Sequence, residues 1–126
     1  MQVSTIILAA GQGTRMNSDL PKVLHHVAGA PLLHHALATA HSLEPSRIVV
    51  VTGHGGEAVA ASAIAYSEAV ETVVQDPPSG TAHAVAQAAP LLAEVGGEAI
   101  VLYADTPLIR EATLRKMLDA RQHHAV

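Results

Sequence analysis

Gly11, Gly13, Arg15 and Lys22 share one short stretch, LAAGQGTRMNSDLPK (residues 8–22), and their types suit a phosphate cradle. Glycine lacks the Cβ that would hold a polyphosphate away from the main chain, so successive N–H groups from Ala10 to Thr14 can turn towards its oxygens. Arg15 and Lys22 add two fixed positive charges, placed to stabilise charge building on an attacked phosphorus and on a departing pyrophosphate. Pro21 stiffens the segment that presents Lys22 and lowers its ordering cost. For an isolated GxG, a plain strand-to-helix turn with a surface arginine is the better reading. Here the added Thr14-Arg15-Met16 and Pro21-Lys22 reverse that preference.

Two commoner glycine-rich motifs do not fit. A dinucleotide fingerprint needs GxGxxG and an acidic residue about twenty positions on. Here the third glycine is replaced by Met16, and the second strand-like run ends in Thr52-Gly53. A Walker A loop needs GxxxxGK[ST], and no lysine is placed to complete it. What remains, GxGTRM followed by PK, resembles the signature of sugar-nucleotide pyrophosphorylases.

Further chemistry sits in two later segments. In QDPPSGTAH (residues 75–83), the side chain of Gln75 carries both a donor and an acceptor, matching the alternating edge of a pyrimidine such as uracil. Gly80 and Thr81 stand where a helix begins, so backbone N–H groups there can bind a base or a phosphate. An ordinary Pro-Pro turn with a Ser or Thr helix cap explains the same residues equally well. In YADTPL (residues 103–108), Asp105 directly follows an apolar run. Beside a triphosphate site it suits Mg2+, which needs only one or two carboxylates plus phosphate oxygens and water; alone, it would read as a turn or capping residue. Tyr103 reads equally as a pocket-lining residue or as a buried tyrosine with a satisfied hydroxyl. TGHGG (residues 52–56) reads as a tight turn rather than a second phosphate loop.

The nine histidines do not make a metal site. His25-His26, His34-His35 and His123-His124 are adjacent pairs whose side chains diverge, and no HxxxH or HExxH pattern exists. They read as surface or helix-flank residues. His54 and His83 lie nearer the candidate site, without a sequence signal that assigns them a role.

The elements that position these loops follow from periodicity. Residues 3–9, 47–52, 70–74 and 98–104 are short Val- and Ile-rich runs, of the length expected for strands buried on both faces. Between them, Leu32, Leu33, Ala36, Leu37 and Ala40 mark one helix face, and Val59, Ala63 and Ile64 a second. Ala84, Val85, Ala88 and Ala89 mark a third, which Pro90 should end or kink. Leu114, Met117, Leu118 and Arg121 trace a fourth. This alternation predicts an α/β fold: a doubly wound, mainly parallel Rossmann-like sheet with right-handed crossovers and helices on both faces. In such a sheet every loop named above leaves the carboxyl end of a strand, so all four can build one site.

Composition bounds the reading. The chain of 126 residues is long enough for one domain with a true core. Nearly half of its residues are apolar and 14% are charged, which excludes a disordered chain. With neither Phe nor Trp, the core must pack through small aliphatic side chains. A formal net charge of −4 argues against a nucleic-acid surface and for a small-molecule partner. The absence of cysteine rules out disulfides and thiolate metal sites. The first residues read as a strand rather than a signal peptide, and no apolar run reaches transmembrane length, so a cytoplasmic setting without a membrane partner is expected.

Taken together, LAAGQGTRM, LPKVLH, TGHGG, Gln75 with Gly80-Thr81-Ala82-His83, and YADTPLI are similar to the uridylyltransferase half of bacterial bifunctional N-acetylglucosamine-1-phosphate uridylyltransferases, in order and spacing across nearly the whole chain. The resemblance implies a Mg2+-dependent nucleotidyltransferase of the nucleotide-diphospho-sugar transferase type. It implies transfer of uridylyl from UTP to N-acetylglucosamine 1-phosphate, giving a precursor of peptidoglycan and other envelope polymers. Carried over, Leu8, Ala9, Ala10, Gly11 and Gly13 contact the nucleotide, and Arg15 and Lys22 act on the phosphates. Gln75, Gly80 and Thr81 read uracil, Tyr103, Ala104 and Asp105 line the nucleotide or sugar-nucleotide, and Asp105 holds the metal. Two departures stand out. Ala104 replaces a frequent glycine, which could crowd the backbone near the ligand. The chain also stops where family members continue, so residues 1–126 are expected to be the nucleotide-binding part of a domain truncated at its C-terminus, with an oligomeric parent left open. Weak nucleotide binding and little turnover are expected of it. The competing readings are a molybdenum-cofactor guanylyltransferase or another sugar-1-phosphate nucleotidyltransferase, and a nucleotide-binding module without catalysis.

Overall fold

The computed structural model describes residues 3–9, 22–53, 56–75, 81–92, 98–104 and 116, with backbone alone for Lys22, Thr81, Ala82, Leu92 and Glu98. The order is β1 (Val3–Ala9), a 3-10 turn (Lys22–Leu24), β2 (His26–Val27), β3 (Ala30–Pro31), α1 (Leu32–Ser42), β4 (Arg47–Gly53), α2 (Glu57–Tyr66), β5 (Glu71–Gln75), α3 (Thr81–Leu92) and β6 (Glu98–Tyr103). The four long strands match the expected runs to within a residue at each end. Of the expected fourth helix, all but Lys116, which is helical and exposed, lies outside the described residues.

These strands form one sheet in the order β5-β4-β1-β6, with every pairing parallel. Chain order therefore runs outward from β1 through β4 to β5, then crosses back to place β6 on the other side of β1. Side-chain alternation splits the core in two. Val3, Ile7 and Ala9 of β1, Ile48 and Val50 of β4, and Ile100 and Leu102 of β6 pack with α1, α2 and the 3-10 turn. Ile6 and Leu8 of β1 and Val49 and Val51 of β4 pack with Ala84 and Ala88 of α3 on the opposite face. The sheet is thus doubly wound, as expected.

Three expectations need correction. Burial on both faces holds for β1 and β4 but not for the flanking strands, where Val74 is 58% exposed and Val101 38%. A central strand has a neighbour on each side and a helix over each face, whereas among the described residues α3 packs on β1, β4 and β5. Ile64 is 46% exposed, while Val59 and Ala63 are buried. α2 is apolar nearly all round, so only its seat on the sheet selects the inward stripe. α3 continues through Pro90 to Leu92. Pro90 lies in the last turn, and the Ala86 carbonyl that loses its intrahelical donor is on an exposed residue, where water can replace it.

The hairpin of β2 and β3 turns through Ala28 (φ 53°) and Gly29 (φ 85°), the left-handed pair of a two-residue turn that matches strand twist. α1 has no side-chain cap; instead the Leu32 N–H donates to the His25 carbonyl at 3.0 Å, satisfying one of the orphan donors at a helix start. Among the described residues no helix is long and apolar enough to cross a membrane.

Candidate functional site

Parallel pairing brings the carboxyl ends of the four long strands to one edge. Along it, Ala9 of β1 pairs with Thr52 of β4, Gly53 with Gln75 of β5, and Leu8 with Tyr103 of β6. The Ala104 N–H donates to the Leu8 carbonyl at 3.0 Å, carrying the β1–β6 ladder one residue further. Because the strand order runs from β1 out to β5 and then reverses to β6 on the other side of β1, the topological switch point lies between β1 and β6, where open α/β sheets bind ligands. Ala10 follows the end of β1 in the sequence, and Ala104 and then Asp105 follow the end of β6. Ala10, Gly11, Gly13, Arg15, Gly80 and Asp105 lie outside the described residues.

The chain rejoins the described structure at Lys22, which opens the 3-10 turn. Val23 and Leu24, 3% and 9% exposed, sink into the core beside α1 and pin the backbone that carries Lys22. Leu8 and Ala9 are buried on opposite faces at the end of β1, so what they offer a ligand at this edge is main chain. The Ala104 methyl is fully buried within the α1–α2 face of the core. Tyr103 is 47% exposed, which removes the reading of a buried tyrosine.

Gln75 ends β5 and is 3% exposed. Its Nε2 lies 3.0 Å from Nδ1 of His83, and the other ring nitrogen of His83 lies 3.2 Å from Nε2 of Gln87. Thr81 opens α3, whose N-terminus stands at the same edge as Gln75. Sequence reasoning left His83 without a role. The signal that could have found it is the spacing of His83 and Gln87, four apart on one helix face, with Gln75 at the preceding strand end.

At the end of β4, the Gly56 N–H donates to the Gly53 carbonyl at 3.0 Å. A Cβ on Gly56 would meet that carbonyl oxygen at 2.8 Å, so only glycine lets the turn close this tightly. His54 and Gly55 lie outside the described residues. Elsewhere the histidines are more than surface residues: Nε2 of His34 is 2.8 Å from Oγ of Ser62, tying α1 to α2, and the rings of His34 and His41 pack on Tyr66. His35 donates to the Val27 carbonyl, holding the hairpin to α1. No group of three or more metal-ligating side chains occurs among the described residues.

Residues 5–126 match the family described as the MobA-like NTP transferase domain. The chain is 68% identical to the bifunctional protein GlmU of Cereibacter sphaeroides over 98% of its own length and 27% of that protein's. It is 52% identical to the bifunctional protein GlmU of Ruegeria pomeroyi, again over 98% of the chain and 28% of the relative. It therefore spans just over a quarter of the length of these curated relatives. Among solved structures, an apo UDP-glucose pyrophosphorylase superposes with a TM-score of 0.76 at 21% identity, over 98% of this chain and 55% of that one. Rv0371c of Mycobacterium tuberculosis, solved in complex with manganese, superposes with a TM-score of 0.71 at 22% identity, covering 98% of this chain and 61% of its own. At these identities the two structures share the fold.

Proposed function

The chain belongs to the MobA-like NTP transferase domain family, and we propose that residues 1–126 form the nucleotide-binding part of a uridylyltransferase acting on UTP and N-acetylglucosamine 1-phosphate. The observation that carries this reading is the order of chemically suited residues along one sheet edge. Gln75 ends β5, two strands from β1, while β6 flanks β1 on its other side. With neighbouring strands about 4.8 Å apart, roughly 10 Å separates the ends of β5 and β1. That span suits a nucleoside with its base at Gln75 and its phosphates at the glycine-rich loop. The similarity to GlmU proteins over 98% of the chain favours uracil and N-acetylglucosamine among the bases and sugars this family could take.

In the reaction, an oxygen of the sugar phosphate bonds to the α-phosphorus of UTP. The bond from that phosphorus to the oxygen bridging to the β-phosphorus breaks, and pyrophosphate leaves with the electron pair. No covalent enzyme intermediate is needed, so the protein acts by alignment and charge neutralisation. Gln75 and the backbone at Gly80 and Thr81 read the base. Main-chain groups of Leu8, Ala9, Ala10, Gly11 and Gly13 cradle the phosphates, and Arg15 and Lys22 offset charge at the attacked and leaving groups. Tyr103 and Ala104 border the nucleotide. Asp105, next after Ala104, offers the hard carboxylate oxygen that Mg2+ favours, and would hold that ion, whose chemistry when bound is neutralisation of phosphate charge. A nucleotide triphosphate substrate suits the cytoplasm.

Titrating the isotope-labelled chain with UTP and with GTP, each with and without Mg2+, tests this by NMR. Magnesium-dependent shifts of the Leu8, Gln75 and Ala104 amides with UTP alone are expected. A preference for GTP overturns the base assignment and favours a guanylyltransferase. A folded chain that neither nucleotide perturbs overturns nucleotide binding by these residues.

A further inference from the structure

The imidazole of His83 sits between two amides, with Nδ1 3.0 Å from Nε2 of Gln75 and Nε2 3.2 Å from Nε2 of Gln87. An amide nitrogen only donates, and a neutral imidazole has one N–H and one bare nitrogen. The ring can therefore accept from one amide and must donate to the other, whose oxygen takes the nitrogen's place by a half-turn of its terminal torsion. Burial decides which amide turns. Gln75 is 3% exposed and has a further interaction besides His83, so turning it disturbs more than one contact. Gln87 is only half-buried on α3, and water serves either of its ends. The Nδ1 atom of His83 then accepts from Gln75, and its Nε2–H donates to Oε1 of Gln87.

We infer that His83 is a positioning residue for Gln75. By accepting at Nδ1 it fixes which way round the Gln75 amide lies, with the nitrogen held by the ring and the carbonyl oxygen turned away from it. Gln87, one helical turn on, holds the ring in the tautomer this requires. The inference rests on the reading of Gln75 as the uracil contact. A carbonyl offered to the base accepts from the N3–H of uracil, whereas cytosine has a bare N3 and opposes it lone pair to lone pair. His83 thus favours uracil over cytosine without touching either base. Without its acceptor the amide loses one of the contacts that set its orientation, and the discrimination falls.

The experiment combines the tautomer of His83, read from its ring nitrogens by NMR without nucleotide, with the UTP-to-CTP affinity ratio of the wild-type chain, His83→Leu and His83→Asn. An asparagine places a carbonyl oxygen near the position of Nδ1 and is the rescuing variant. The Nε2–H tautomer is expected, with UTP preferred by about tenfold or more, as for one mismatched buried hydrogen bond. The ratio should fall by about threefold or more in His83→Leu and return in His83→Asn. An Nδ1–H tautomer overturns the inference, as does a ratio that His83→Leu leaves unchanged in a chain that still folds. If His83→Leu does not fold, the tautomer and the His83→Asn ratio decide. A wild-type chain that does not tell UTP from CTP overturns the uracil reading instead, and the nucleotide-free tautomer keeps the two failures apart.

Discussion

Thr5 sits in the middle of β1, fully buried between β4 and β6, and its hydroxyl has no hydrogen-bond partner among the described residues. A hydroxyl taken from water without compensation costs free energy, whereas a methyl of similar shape does not. Thr5→Val is therefore expected to raise stability by about 1 kcal/mol, measured as a higher urea midpoint at unchanged slope. A lower midpoint would mean that the hydroxyl is satisfied after all. The same scale explains why Gln75 was legible as a polar residue at a strand end while its partner was not: donor and acceptor capacity can be read from residue type, but which groups meet is set by the packing of α3 against β5. Ala104 shows the reverse. Its departure from glycine suggested crowding at the ligand, yet its methyl points into the core.

At the scale of elements, two boundaries carry testable energies. α1 ends through Leu43 into Glu44, whose φ of 51° lies in the left-handed region and whose N–H donates to the His41 carbonyl at 3.0 Å. Glycine is the residue that this C-cap geometry favours. Glu44→Gly should raise stability by about 0.5–1 kcal/mol, the relief of left-handed strain outweighing the entropy that glycine adds to the unfolded chain. Thermal unfolding checks it. At the end of α3, the Arg47 guanidinium donates to the Leu91 carbonyl, a cation on the negative end of the helix, and lies 3.5 Å from the Glu71 carboxylate. The two interactions are unequal. Arg47→Ala should cost about 1.5–3 kcal/mol, because a charge-assisted bond to a helix end is lost. The ion pair is about one-third exposed on both sides, so Glu71→Gln should change stability by less than about 0.5 kcal/mol. Equal losses for the two variants would show that the ion pair, not the helix cap, is what Arg47 contributes.

Element type was largely readable and element surroundings were not. Leu32, Leu33, Ala36, Leu37 and Ala40 are all buried, since leucines on one face against histidines and threonine on the other leave one orientation. In α2 the many alanines remove that contrast. The hairpin of β2 and β3 escaped notice because its turn is Ala28-Gly29 rather than the Asn-Gly that signals such turns.

For the whole molecule, the sheet order makes β1 and β4 the rigid centre. Ile7, Val49, Val50 and Val51 are fully buried, whereas Val74 of β5 and Val101 of β6 are exposed. Hydrogen exchange should be slowest in β1 and β4 and about tenfold or more faster in β5 and β6. Uniform protection across the four strands would contradict this ranking. A rigid β1 with more mobile flanks places the phosphate end of the proposed nucleotide on the firm part of the sheet and the base end on the softer part.

The sequence by itself determined the alternation of strands and helices, the parallel α/β class and the loops that could carry chemistry, because periodicity, glycine placement and residue type are local properties of the chain. Tertiary structure alone decided that β6 crosses back to the far side of β1, which sets where the switch-point crevice lies. It also decided that β1 and β4 are buried on both faces while Val74 of β5 and Val101 of β6 are exposed, and that His83 meets Gln75. Each of these depends on which surfaces come together, and that is a property of the assembled sheet rather than of any one segment.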